Sequence, residues 1–460
     1  MNKANYQMVS IQSDKKLIGT NFNGSLVFDI AISDKMRIDN LNECVLVAQV
    51  DIVTPSNLPY AAADNSGLTD DPFSRLFLSA SMSVNGYLTD SVQVYDAVSV
   101  SRKYMESYVG KELSSASPLL PYSYDDIAIT GTDYVTEEAF MTRKRNSNLI
   151  YLHGPAASGI NLNTGSVILN TTTTGSNKAR VYLSHDLIFL QSKDIENITF
   201  SNCTLKFIFN VNTNFKKHLL INQLVSETDG TVYTFNDFQL MIPIRSHILR
   251  PITESCIYTA TSSQKMIHNS QYYSVLAPSF TKTAIIYFTF NENSTVTATP
   301  RTINSSNASA ASFLSTARHD NPLVQTLSVN FLQRTYPETP YSFGSTFNNI
   351  NNTDILKLYE TYRRVTKSYA YNELPLLDTL EKFMRSPVFI FDNINNESNS
   401  LAGAMSQANF TINLNNPTSI FKTTDMVLSS NINIVFLYDK EFSITYDESG
   451  TPQIPLNVVV

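Results

Sequence analysis

The residues able to do chemistry are few in this chain, and their spacing fits no familiar device. The run 154–159 (GPAASG), preceded by His153, has glycines at both ends like a phosphate-binding loop. A phosphate loop also needs a closing Lys-Ser/Thr, whose ammonium reaches the phosphates, and none follows here. His185-Asp186 lies in an apolar run, where a hydrogen-bonded structural histidine explains it better than a general base. The 6 His form neither an i, i+4 pair nor a His-Glu-x-x-His spacing for zinc. Asp125, Asp126, Asp133, Glu137 and Glu138 gather carboxylates, but at no EF-hand spacing, and read as a solvated acidic loop. The pairs Tyr104/Tyr108 and Tyr369/Tyr371 could grip a sugar ring, although packing at a seam is the plainer use of such rings. Cys44, Cys203 and Cys256 are odd in number and far apart, which suggests buried free thiols rather than disulfides or a zinc site. No catalytic, cofactor-binding or metal-ligating residue is assigned, and the expectation is a protein that is not an enzyme and carries no cofactor.

Composition narrows what the elements around these residues must be. The chain has 460 residues, 42% of them hydrophobic and only 16% charged, with 24 Tyr, 26 Phe and no Trp. A single core stops growing at about 250 to 300 residues, so two domains are expected, rich in β-formers. The low charge content points to large protein–protein interfaces. Net charge is −7. The longest basic cluster is Arg143-Lys144-Arg145, a solvated loop, so direct gripping of nucleic acid is not expected. The stretch 1–19 lacks the apolar core of a signal peptide, and no segment has about 18 consecutive apolar residues, which predicts a soluble chain without a transmembrane segment.

The chain is organised around 181–251. Leu205, Phe207, Phe209 and Val211 alternate with polar neighbours, 225–230 (VSETDG) breaks the pattern, and Phe238, Leu240 and Ile242 resume it. The break predicts a boundary there, with domains 1–228 and 229–460. Upstream, 26–32, 44–53 and 76–84 read as strands, the last turning at Asn85-Gly86. Val94, Ala97, Val98, Met105 and Tyr108 then fall at helical intervals, with Gly110 as a stop. The polar stretches 111–178 and 291–311 read as long loops that project outward.

The order then repeats. Leu327-Ser328-Val329-Asn330 matches Met82-Ser83-Val84-Asn85, and each precedes a tyrosine-bearing helix, the second predicted over 354–367 with Asn352 or Thr353 as N-cap. Short strands at 389–392, 408–414, 432–438 and 442–446 finish the chain. Many short strands with turns every 8 to 12 residues predict an all-β fold of two sandwiches.

Four stretches resemble a known family: 76–98 (LFLSASMSVNGYLTDSVQVYDAV), 181–221, 235–251 (FNDFQLMIPIRSHILRP) and 358–414 with its Pro387-Val388-Phe389-Ile390-Phe391-Asp392 run. In this order they are similar to the double jelly-roll major capsid proteins of the Polinton, adintovirus and virophage branch, within the adenovirus hexon lineage. Residues 210–214 depart from the family in lacking an arginine. The resemblance implies two tandem eight-stranded antiparallel jelly rolls with a few short helices, 235–251 opening the second. It also implies a homotrimeric, pseudo-hexagonal capsomer in the icosahedral shell of a DNA virion, made soluble in the host cell and contacting penton or minor capsid proteins. A carbohydrate-binding or adhesin-type β-sandwich is the alternative reading.

Overall fold

The computed structural model describes residues 7–12, 17–18, 24–39, 41, 44–53, 67–68, 76–106, 150–151, 159–161, 166–168, 178–190, 199–212, 220–221, 232–246, 253–268, 272–278, 280–290, 324–331, 333–343, 351–369, 375, 377, 379–380, 383, 388–392, 394, 405–414, 430–446, 452–453 and 458–459. Alternating side chains fold the first half into β1 (Gln7–Gln12), β2 (Ser25–Ile38), β3 (Val45–Val53), β4 (Phe77–Val84), β5 (Tyr87–Val92), helix α1 (Tyr95–Glu106), β6 (Lys178–Asp186), β7 (Phe200–Val211) and β8 (Val232–Ser246). The second half has β9 (Thr253–His268), β10 (Tyr272–Pro278), β11 (Thr283–Phe290), β12 (Val324–Phe331), β13 (Arg334–Ser342), helix α2 (Thr353–Tyr369), β14 (Phe389–Asp392), β15 (Met405–Leu414) and β16 (Ser430–Tyr446).

The pairing is antiparallel throughout these strands and has the same plan twice. In the first half the strands run β1-β8-β3-β6 and β2-β7-β4-β5, and the two runs join at one corner where the end of β8 also pairs with β2, Arg245↔Arg37 and Ser246↔Met36. In the second they run β9-β16-β11-β14 and β10-β15-β12-β13. Each strand of the first half has its counterpart eight labels later, and the helix holds the same place between the fifth and sixth strands. Two four-stranded sheets in this order are a jelly roll, so the expected two eight-stranded rolls are present.

Strand β8, which follows 228/229, joins strands of the first half. Strand β8 pairs with β3 from Val232↔Val53 to Met241↔Val45, and with β1 from Gln7↔Ile244 to Gln12↔Gln239. Thus the strand within 235–251 does not open the second roll: β8 closes the first. The polar run 225–230 is the approach to a last strand. A break in composition marks a loop but not which core the next strand joins. Phe238, Leu240 and Ile242 are buried, as are Leu205, Phe207 and Phe209.

Two hairpins feed the helices. Between β4 and β5, Asn85 and Gly86 both take positive φ, 50° and 82°, the left-handed pair that a tight two-residue hairpin requires. The β12–β13 hairpin turns at 332–333 instead, with Gln333 at φ 64°. Measured from the turns, Val84 corresponds to Phe331, so the Met82–Asn85 and Leu327–Asn330 match is out of step by two residues. Two is the strand period, hence Met82, Val84, Leu327, Val329 and Phe331 all still point into a core. Helix α2 is capped by Asn352, whose Oδ1 accepts the N–H of Asp354 at 2.9 Å and of Ile355 at 3.3 Å. Stretch 107–149, with Tyr108, Gly110 and the acidic group, and stretch 291–323 lie outside the described residues, so the two long loops are described only at 150–151, 159–161 and 166–168.

Candidate functional site

The most elaborate arrangement of polar groups in the described residues is the seam between the rolls. Helix α1 belongs to the first roll by chain order but lies on the outward face of the β9-β16-β11 sheet. Val98, Arg102 and Met105 there face Thr259, Ile285, Val435 and Leu437. Most of the helix's described side chains are buried: Tyr95, Ala97, Val98, Ser99, Val100, Ser101, Arg102, Tyr104 and Met105. Strand β16 is correspondingly buried on both faces from Asn431 to Leu437, where Ile432, Ile434 and Phe436 serve the roll's own core.

Burying backbone ends and polar side chains in such a seam is tolerable only if they find partners. Tyrosines supply most of them. Tyr258 Oη donates to Thr89 O at 3.3 Å, Tyr287 Oη to Ala97 O at 3.3 Å, and Tyr362 Oη to Tyr104 O at 3.1 Å. Tyr446 Oη donates to Thr199 O at 2.8 Å and accepts from Ser201 N at 3.0 Å, beside Phe200 packed on Phe442. Ser263 Oγ accepts the N–H of Val94 at 3.0 Å, and Lys265 Nζ meets Asp96 Oδ2 at 3.0 Å. Arg102 Nη2 donates to Thr259 O at 3.3 Å. Each neutral bond contributes about 0.5–1.5 kcal/mol, so the set fixes orientation as much as it adds stability.

A fully buried carboxylate completes the seam. Asp90 on β5 accepts from Leu190 N at 3.0 Å and from Ser91 N at 2.9 Å. It thereby holds Leu190, a bulky residue at φ 47°, in the left-handed region. Burial pushes the Asp90 carboxyl above the usual range, against the pull of those N–H groups and of the Arg102 and Lys440 charges. Burial, with the nearby Asp90 charge, also raises the Tyr438 phenol to about 12.

Of the residues singled out in the sequence, His185 lies with its Nε2 2.9 Å from Tyr95 Oη, and the Tyr95 ring packs on Phe77 and Phe209. That is a packing role. Tyr104 joins α2 through Tyr362; Tyr108, Tyr371, His153 and Arg143–Arg145 lie outside the described residues. Cys44 and Cys203 are buried free thiols, and burial raises Cys203 to about 12. Among the described residues no group of three or more His, Cys, Asp or Glu is placed to hold a metal ion, and no helix is long and apolar enough to cross a membrane. Sequence reading missed Asp90, Arg102 and Tyr446. A lone charged residue in a helix or at a strand end gives no sign that another domain will cover it.

Two jelly rolls in tandem, of one topology and fused through a helix, define the double jelly-roll fold of viral major capsid proteins. Among solved structures, the mavirus major capsid protein matches with a TM-score of 0.53 and 11% identity, over 98% of this chain and 90% of that one. A chain in the structure of the Sputnik virophage also gives 0.53 and 11%, over 99% of this chain and 89% of that one. At such identity the likeness carries the fold alone. No protein-family model matches the chain, and no curated protein matches it in sequence.

Proposed function

We propose that this chain is the major capsid subunit of a non-enveloped icosahedral DNA virus or virus-like element, and that its place of work is the shell of the virion. The observation that supports this most is the repeated plan itself. A chain of two equivalent sandwiches locked by a buried seam is a rigid wedge, and three copies give six similar sandwiches that close into a pseudo-hexagonal ring by rotation. The low charge and the outward apolar side chains fit lateral contacts between copies. Leu78, Tyr87 and Leu88 on β4 and β5, and Tyr272 and Leu276 on β10, stand exposed on the corresponding sheets of the two rolls. Obligate interfaces exceed about 2,000 Å² and resemble a core cut in half, which such residues provide. The rolls divide between Ser246 and Thr253, and penton or minor proteins are the expected further partners at vertices and joints. Negative-stain images of the purified protein test the reading: trefoil-shaped trimers or closed shells support it. Isolated single particles that bind glycans instead would favour the carbohydrate-binding alternative.

A further inference from the structure

The seam contains a small cavity between α1 and the β9-β16-β11 sheet, with about 10 Å³ open to the centre of a water molecule. That is about the space one water requires. Its walls are mostly apolar, Val98, Ile285 and Leu437 among them, but four polar side chains also line it, Ser101, Arg102, Thr259 and the part-exposed Thr261. Ser101, Arg102 and Thr259 are each more than nine-tenths buried. Ser101 Oγ and Thr259 Oγ1 have no hydrogen-bond partner among the described residues, and Arg102 Nη1 is buried at the same wall while Nη2 is engaged by Thr259 O.

A buried hydroxyl with nothing to bind is costly, and two around one cavity at a domain seam, beside a guanidinium N–H, make a polar cradle. All three groups can donate, so the cradle suits a small acceptor. We propose that this cavity is a built site for a single small hydrogen-bond acceptor, a water or a chloride ion in its place, which bridges Ser101 and Arg102 of the first roll to Thr259 of the second. The bound species then completes the latch between the rolls by giving the two hydroxyls a partner that the described residues do not supply. The site lies beneath α1, away from the exposed faces offered for contacts between copies, so it stands whether or not the chain trimerises.

The test uses the full chain. A high-resolution structure is expected to show one peak within hydrogen-bonding distance of Ser101 Oγ, Arg102 Nη1 and Thr259 Oγ1. Crystals grown with bromide in place of chloride separate the two sources: an anomalous peak there assigns a halide, its absence with the peak retained assigns water. Thr259→Val, which keeps shape, and Ser101→Ala are each expected to lower Tm by about 2–4 °C. The double variant should lose less than the sum, because both hydroxyls share one bound species. A dry cavity would behave oppositely: no peak, and Thr259→Val raising Tm by removing an unsatisfied hydroxyl, a result that overturns the proposal.

Discussion

Helices α1 and α2 occupy the same step of the two jelly rolls, yet they live in different surroundings. Helix α2 is amphipathic. Ile355, Leu358, Tyr359, Tyr362 and Val365 are buried, while Lys357, Glu360, Arg363 and Arg364 face out, with Lys357–Asp354 and Arg363–Glu360 pairs at 2.9 and 3.2 Å on that face. Among the described side chains of α1, Asp96 is half-buried and the rest are buried, with the second roll's β9-β16-β11 sheet against them. The two halves share a topology, and their helices differ in side chains according to which of them lies inside the seam. Serines and one arginine, ordinary on a surface helix, became buried hydrogen-bonding groups in α1.

The sharpest way to break this comparison is to put the same charge on both helices. Val100→Glu in α1 should cost 3 kcal/mol or more, on the order of other unpaired buried charges, and should fail to yield a folded chain at physiological temperature. Leu356→Glu in α2, at a site 41% exposed, should change stability by less than about 0.5 kcal/mol. Urea midpoints measure both, and equal, small effects would mean that α1 is not covered.

Tyr362 is where the helices meet, so it measures what α2 contributes to the seam. Its ring packs on Phe383 with centroids 5.4 Å apart, and its hydroxyl donates to Tyr104 O and accepts from Leu377 N. Tyr362→Ala should cost about 3–5 kcal/mol, as deletion of a large buried ring does. Tyr362→Phe keeps the ring and strands two buried backbone groups, for about 1–3 kcal/mol. If the phenylalanine variant matches the wild-type urea midpoint, the link to Tyr104 adds nothing.

The smallest effect is electrostatic and has opposite signs in the two rolls. Burial holds the folded Asp90 pKa above its unfolded value, so its contribution is present below the usual carboxylate range and is lost as pH rises through the folded value. For Asp354, burial works upward but is outweighed by the Ser342 N–H and Lys357, and its pKa is lowered. Its contribution is present above the usual range and is lost as pH falls through the folded value. From about pH 3 to pH 7, Asp90→Asn should gain stability relative to wild type and Asp354→Asn should lose it. Parallel slopes from urea titrations at several pH values would contradict the difference in burial.

What was legible in the sequence follows the same division. Period-2 runs such as Leu205–Val211 and the Asn85-Gly86 turn specify local geometry, and α2 could be read because water on one side leaves a stripe. Strand β16 was readable for Ile432, Ile434 and Phe436, but Asn431 and Asn433 look like a wet face and are buried, because α1 covers that side of the sheet. The pairing of β8 was hidden for a similar reason: it returns across the loop to β1 and β3. Contacts made by returning strands or by another domain leave no periodic trace, and the same holds for Asp90 and Arg102.

If the chain is a capsid subunit, its two locked sandwiches assemble with copies of the same chain. Size-exclusion chromatography with light scattering, on folded protein at micromolar concentration and neutral pH, tests it most directly. The expected mass is three times the chain mass of 51.4 kDa. A stable species at the mass of one chain would contradict it.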